Sequence, residues 1–311
     1  MRIAILGATS QIAKDLIHSF AKSNEHELLL FARRPEAVVA WKTSVGIQQH
    51  WCVSDYGAFT PTQYFDAVIN FVGVGKPVQT AAMGASIFDV TSQYDELALA
   101  YLKQHPNCRY IFLSSGAAYG SMFDEPATEN TIARIPINNL QPQDWYGVSK
   151  LYAECRHRSL AHLPIVDIRL FNYFSHTLDI NAGFLITDIL RSLRDRTLLK
   201  TTPDYIVRDY LHPVDFYSLV MAMLHAPLIN IVVDAYSKSP IDKPTLLTTM
   251  QEKFGLKYET VQSGGVVNAT GGKPYYYSVN IKAGDFGYAP GFTSLDGLLL
   301  SFKNLNFLPH Q

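Results

Sequence analysis

Short apolar runs alternate with amphipathic stretches through the first half of this chain. Arg2–Gly7, Glu27–Ala32, Gly46–Val53, Ala67–Val72, Arg109–Ser115 and Ile165–Leu170 read as strands. Ile12–Lys22, Asp95–Gln104 and Trp145–Leu160 carry the spacing of helices between them. Strands separated by helices predict a parallel sheet. Right-handed crossovers then bring the carboxyl ends of the strands to one edge, where ligands bind. The second half is less regular. Gly183–Arg196, Pro213–His225 and Pro244–Gly255 read as helices, Ile229–Asp234 as a strand, and Ser263–Pro274, with Gly264, Gly265, Gly271 and Gly272, as a loop. The expected architecture is α/β: a Rossmann-like doubly wound parallel sheet over residues 1–172, with 213–234 returning to it. Residues 173–212 and 235–311 would form a smaller α/β substrate-binding lobe.

Composition changes this picture little. Over 311 residues, 48% are apolar and 17% charged, with a formal net charge of -1. That balance suits a globular core and gives no reason to expect a nucleic acid or an anionic membrane as partner. The apolar start Ile3–Leu6 is too short for a signal peptide, and no run approaches the roughly 18 apolar residues of a membrane span. A cytoplasmic location is expected. Three scattered cysteines, Cys52, Cys108 and Cys155, lack metal-ligand spacing and read as reduced, buried small hydrophobes. No metal site is expected.

The first strand runs into Gly7-Ala-Thr9-Ser10-Gln11-Ile12-Ala13. A small-residue turn opening a helix suits phosphate, because exposed N–H groups and the helix dipole meet there. Ser10 and Ala13 stand where two further glycines are usual. Serine keeps the turn small, and alanine still permits close packing of helix on sheet. The second strand ends at Arg33-Arg34-Pro35, two guanidinium groups where an acidic residue would receive a ribose diol. They fit a 2′-phosphate, so NADP is expected, with NAD possible; a pair of solvated loop arginines is the plainer alternative. Asp55 would meet the adenine amino group or serve as a surface turn. Phe71-Val72-Gly73 would lie beneath the cofactor.

Tyr146-Gly-Val-Ser-Lys150 carries the candidate chemistry. With 18 tyrosines in 311 residues, chance supplies about one Tyr-x-x-x-Lys, and this is the only one present. Its place makes it informative, because it follows a strand ending in Ser114-Ser115. Lys150 lies one helical turn from Tyr146, on the same face, and its charge would favour the phenolate. Ser115 would hold a substrate oxygen. A strand-end capping serine and an amphipathic surface pair are the structural alternatives.

These residues resemble the extended short-chain dehydrogenase/reductase family, in its nucleotide-sugar epimerase/dehydratase/reductase branch. The likeness takes in the Gly7 turn, Ser114-Ser115-Gly-Ala-Ala-Tyr119-Gly120, Tyr146-Gly-Val-Ser-Lys150 and Ile168-Arg169-Leu-Phe171-Asn172-Tyr173. It continues through Val207-Arg208-Asp209-Tyr210-Leu-His212-Pro-Val-Asp215 and Ser278-Val-Asn280-Ile-Lys282-Ala283. The resemblance implies Ser115, Tyr146 and Lys150 as the catalytic trio. Tyr146 and Lys150 would also touch the cofactor, Asn172 the sugar or diphosphate, and Arg208 the diphosphate. It further implies a homodimer formed through the helix of Tyr146, with Leu151 and Tyr152 serving there.

Departures from the family narrow the activity. Its 4,6-dehydratases carry adjacent acidic residues where this chain has Gly116 and Ala117. Its 3,5-epimerase/reductases use a cysteine at the place of Gly116, although their histidine is matched by His176. The glycine-containing stretch before Arg208 is replaced by Thr201-Thr-Pro203-Asp204. The expected function is NADP-dependent reduction of a 4-keto-deoxysugar nucleotide with Tyr146 as proton donor. A 4-epimerase retaining NAD(P) is the second reading, and a cofactor-sensing regulator the third.

Overall fold

The computed structural model describes residues 1–73, 80, 82–262 and 273–305. Six strands come first: β1 (Arg2–Leu6), β2 (Glu27–Phe31), β3 (Cys52–Ser54), β4 (Ala67–Asn70), β5 (Arg109–Ser115) and β6 (Ile165–Leu170). Between them lie α1 (Gln11–Ser23), α2 (Pro35–Ser44), α3 (Ser86–Gln104) and α4 (Trp145–Ser159). The chain continues through β7 (Asn172–Tyr173), α5 (Leu185–Asp195), β8 (Leu199–Thr201), β9 (Val207–Arg208), β10 (Tyr210–Leu211), α6 (Pro213–His225) and β11 (Ile231–Asp234). It closes with β12 (Ile241–Asp242), α7 (Lys243–Phe254), β13 (Tyr258–Thr260), β14 (Tyr275–Tyr276) and α8 (Ser294–Lys303).

The main sheet has seven strands in the order β11-β6-β5-β4-β1-β2-β3, with every pairing parallel. The order reverses between β1 and β4, and the crevice for a ligand opens at that point. Alternate residues of each strand feed two cores. Ile3, Ile5, Leu28, Leu30 and Ile69 pack on α1 and α6, whereas Ala4, Leu6, Leu29, Phe31 and Val68 pack on α3. Burial on both faces explains why these strands read as unbroken apolar runs rather than alternating ones. A separate cluster gathers Phe174, Ile186, Ile189, Leu190, Leu246, Met250, Leu298 and Phe302 from α5, α7, α8 and the segment after β7.

Several expectations need correction. The segment expected as a strand over Gly46–Val53 is mostly irregular, with only the short edge strand β3 at its end, and α2 before it was missed. Helix α2 begins at Pro35 but buries only Val38 and Lys42, so its sequence has little apolar periodicity to recognise. Helix α3 starts at Ser86 rather than at Asp95. Only Cys108 is buried; Cys52 and Cys155 are exposed. The loop expected over Ser263–Pro274 lies, up to Gly272, outside the described residues. No helix among the described residues is long and apolar enough to cross a membrane.

Behind the sheet's ligand edge runs a chain of buried polar groups. His157 on α4 is fully buried between two carboxylates, with Nδ1 2.6 Å from Asp167 and Nε2 2.8 Å from Asp95. Tyr110 donates to Asp95 at 2.9 Å, and Asn70 donates to Tyr110 at 2.9 Å. The Asn70 side-chain oxygen Oδ1 in turn accepts from the Val72 amide at 2.8 Å and shapes the end of β4. Burial would push the imidazole down, but Asp167 and Asp95 outweigh it and hold its pKa up at about 9. A group raised in the folded state stabilises fully below its unfolded pKa, and that contribution is lost as pH rises through the folded value. Unfolding free energy measured by urea titration is therefore expected to drop by about 3 kcal/mol between about pH 6.5 and 9. His157→Gln should flatten that slope; equal slopes in both proteins would refute the assignment.

Candidate active site

The end of β5 and the start of α4 build the site. Ser115 closes β5, and its Oγ accepts the Ala117 amide at 3.2 Å, capping the single helical turn Gly116–Tyr119. The capping alternative therefore holds for Ser115, and it does not take the residue out of the site. Tyr146 faces the same serine, whose hydroxyl favours its phenolate. This meeting needs a close approach, because a Cβ on Gly147 would lie 2.5 Å from the Ala117 carbonyl oxygen. A side chain there would push the first turn of α4 off the β5 end.

Lys150 is buried below Tyr146. Its Nζ donates to the Leu113 carbonyl at 2.8 Å, lies 4.3 Å from the Phe112 ring centroid and 6.0 Å from that of Tyr146. A Cβ on Gly73 would stand 3.5 Å from the same Nζ, so the end of β4 reaches the lysine. Burial pulls the Lys150 pKa down to about 8, against the opposing charges of Asp95, Glu154 and Asp167. Burial also raises the Tyr146 phenol, and the Ser115 hydrogen bond works the other way. Ser115, Tyr146, Lys150 and Gly73 thus come together at one edge of the sheet.

The turn after β1 packs closely on the segment that follows β4. Gly7 has φ +82°, and a Cβ there would lie 2.9 Å from both Phe71 C and Val72 N. Ser10, the residue before α1, sends its amide to the Gly7 carbonyl at 2.8 Å, and Thr9 and Ser10 are half-buried. Ile12 packs against the core, while the Gln11 amide is tied to Thr177. Arg33 and Arg34 are exposed at the end of β2, and neither pairs with a carboxylate among the described residues. Asp55 is exposed and accepts the Gly57 amide at 2.9 Å, so it caps a turn. Phe71 is buried, and Val72 is half-buried beside it.

The expected substrate residues lie on the other wall. Asn172 Nδ2 donates to the carbonyls of Asp209 and Tyr276, each at 3.3 Å. Arg208 is buried and donates to the carbonyls of Val207 and Lys273, each at 2.8 Å. Its neighbour Asp209 turns the opposite way and accepts from the Ser237 amide and the Ser294 hydroxyl. His176 is exposed. Among the described residues no group of His, Cys, Asp or Glu could hold a metal ion.

Three residues at this site escaped the sequence reading. Tyr276 is buried, with its hydroxyl 3.3 Å from Ser115 Oγ. Lys273 sets its Nζ 4.8 Å from the Tyr276 ring centroid, and burial beside Arg208 pulls its pKa down to about 8. Phe171 fills the space over Gly116, where a Cβ would come within 2.3 Å of its ring. The run Tyr275-Tyr276-Tyr277 after a lone lysine was the available signal for the first two.

Residues 3–232 match the model of the NAD dependent epimerase/dehydratase family. The chain belongs to that family. It is an enzyme of the extended short-chain dehydrogenase/reductase type, and the seven-stranded parallel sheet is this family's Rossmann-like fold. Among solved structures it is similar to UDP-glucose 4-epimerase from Thermotoga maritima with UDP-glucose, at 15% identity and TM-score 0.77, covering 97% of this chain and 98% of that one. It is also similar to UDP-glucuronic acid 4-epimerase from Bacillus cereus in complex with UDP-glucuronic acid and NAD, at 18% identity and TM-score 0.76, with the same coverage. A third, dTDP-glucose 4,6-dehydratase from Bacillus anthracis in complex with NAD, gives 16% identity and TM-score 0.75, covering 97% and 96%. A comparison with curated protein sequences finds no match.

The packing of Phe171 on Gly116 predicts its own test. Gly116→Ala is expected to lower stability by about 1–3 kcal/mol in urea unfolding, as overpacking does. Phe171→Leu in the same chain should recover part of that loss; additive losses would show that the two residues do not compete for the space.

Proposed function

We propose that this enzyme is an NADP-dependent reductase of a 4-keto-deoxysugar nucleotide. The observation that carries the reading is what stands around the Ser115–Tyr146 pair. Gly116 is backed by the Phe171 ring and Ala117 offers only a methyl group, so no acid or base occupies either position. Elimination of a hydroxyl needs such groups, whereas reduction of a ketone needs one proton donor and one holder of the oxygen. The turn after β1 and Gly73 suit a dinucleotide, because Gly7 lets the small-residue turn that opens α1 lie against the Phe71–Val72 backbone. Gly7, Thr9, Ser10, Gln11, Ile12, Asp55, Phe71, Val72 and Gly73 would hold it. Arg33 and Arg34 favour NADP over the NAD seen in the similar UDP-glucuronic acid 4-epimerase, because exposed guanidinium groups pair well with a 2′-phosphate. When bound, the nicotinamide supplies the hydride.

The residues of the chain do the rest. Ser115 Oγ holds the keto oxygen, and Tyr146 delivers a proton to it. Lys150, charged below about pH 8, favours the phenolate that Tyr146 becomes. Arg208 would meet the diphosphate and Asn172 the sugar. The lobe built from residues 173–212 and 235–311 would close over the nucleotide, and a homodimer in the cytoplasm is the assembly we favour. A 4-epimerase retaining its cofactor is the second reading, favoured by the similarity to two 4-epimerases.

The purified enzyme mixed with NADPH and a 4-keto-6-deoxysugar nucleotide should consume absorbance at about 340 nm in proportion to substrate. Tyr146→Phe should slow this at least ~100-fold, the usual contribution of a general acid. Failure to consume NADPH, with interconversion of a 4-epimeric pair instead, would favour the epimerase.

A further inference from the structure

Tyr276 joins groups that the sequence keeps far apart. It lies on β14, directly beside Arg208 of β9 in parallel register, with the guanidinium carbon 5.9 Å from its ring centroid. Its carbonyl accepts from Asn172, and Lys273 lies over its ring. Phe123 and Phe171 meet that ring edge-on, at 4.9 and 5.3 Å between centroids. Within this packing the hydroxyl is aimed at Ser115 Oγ, 3.3 Å away.

The hydrogen-bond inventory of Ser115 gives that contact a consequence. A serine hydroxyl has one proton to donate and two lone pairs that accept. The Ala117 amide takes one lone pair. The Tyr276 phenol, 5% exposed and raised by its burial, keeps its proton, and at 3.3 Å either hydroxyl can donate to the other; with Tyr276 as donor the second lone pair is taken. The single Ser115 proton is then left to point at Tyr146 or at an oxygen bound beside it. We propose that Tyr276 is a positioning residue that fixes the direction of the chain Tyr276→Ser115→Tyr146 and makes Ser115 an obligate donor at the reacting oxygen. The proposal rests on the assignment of Ser115 and Tyr146 as reacting groups. No covalent step is added.

A donor fixed on Tyr146 favours its phenolate. The other ionisable groups facing this pair are Lys150 from α4, Arg208 from β9 and Lys273 before β14. None of them is altered by Tyr276→Phe, which keeps the ring and its packing and removes only the hydroxyl.

The test is the titration of Tyr146 itself, followed in protein labelled with 13C at the tyrosine Cζ and assigned by its loss in Tyr146→Phe. Tyr276→Phe is expected to raise the Tyr146 midpoint by about one pH unit, the worth of one ordinary hydrogen bond. In a Ser115→Ala background the same substitution should no longer shift it. An unmoved midpoint, or a shift that persists without Ser115, overturns the proposal. The titration needs no substrate, so its outcome is separate from whether NADPH is consumed.

Discussion

The chemistry at the sheet edge depends on how closely helix α4 lies against strand β5. Four side chains on one face of that helix, Tyr146, Lys150, Glu154 and His157, each find a partner in the sheet. Tyr146 meets Ser115, Lys150 donates to the Leu113 carbonyl at 2.8 Å, Glu154 accepts from Ser114, and His157 holds Asp167. The spacing of four, four and three residues follows the helical turn, so the face is fixed by geometry once the helix docks. Gly147 permits the docking because its hydrogen stands where a Cβ would strike the Ala117 carbonyl.

That contact sets the electrostatics as well. Lys150 lies in an apolar setting over the Phe112 ring, and such burial disfavours its charge. Asp95, Glu154 and Asp167 oppose this from beneath. Glu154 is itself held by Arg169, whose Nε lies 3.0 Å from its carboxylate. The same carboxylates that keep the imidazole of His157 protonated also keep the lysine available near neutral pH. Stability of the core and reactivity at the edge therefore share one set of buried charges.

Much of the fold was legible because the parallel strands bury both faces and read as unbroken apolar runs. The gathering of Ser115, Tyr146 and Lys150 at one edge was legible because Tyr146 and Lys150 are one helical turn apart and Ser115 ends a strand. What stayed hidden had no local signal. Helix α2 buries two residues and so lacks a stripe. The partnership of Ser115 with Tyr276 spans 161 residues, and only the parallel pairing of β14 with β9 brings it about. Phe171 over Gly116 is likewise a contact between strand ends. The absence of an acid at Gly116 could be read from the sequence; the ring that fills its place could not.

The central claim is that this site exchanges its cofactor and makes a net reduction, with Tyr146 supplying the proton. Label transfer tests it most directly. The enzyme would be mixed with NADPH carrying deuterium at nicotinamide C4 and with a 4-keto-6-deoxysugar nucleotide, and the product examined by NMR. The account predicts deuterium at sugar C4 and an equal quantity of free NADP+. Product without deuterium, with the cofactor still bound to the protein after turnover, would contradict it.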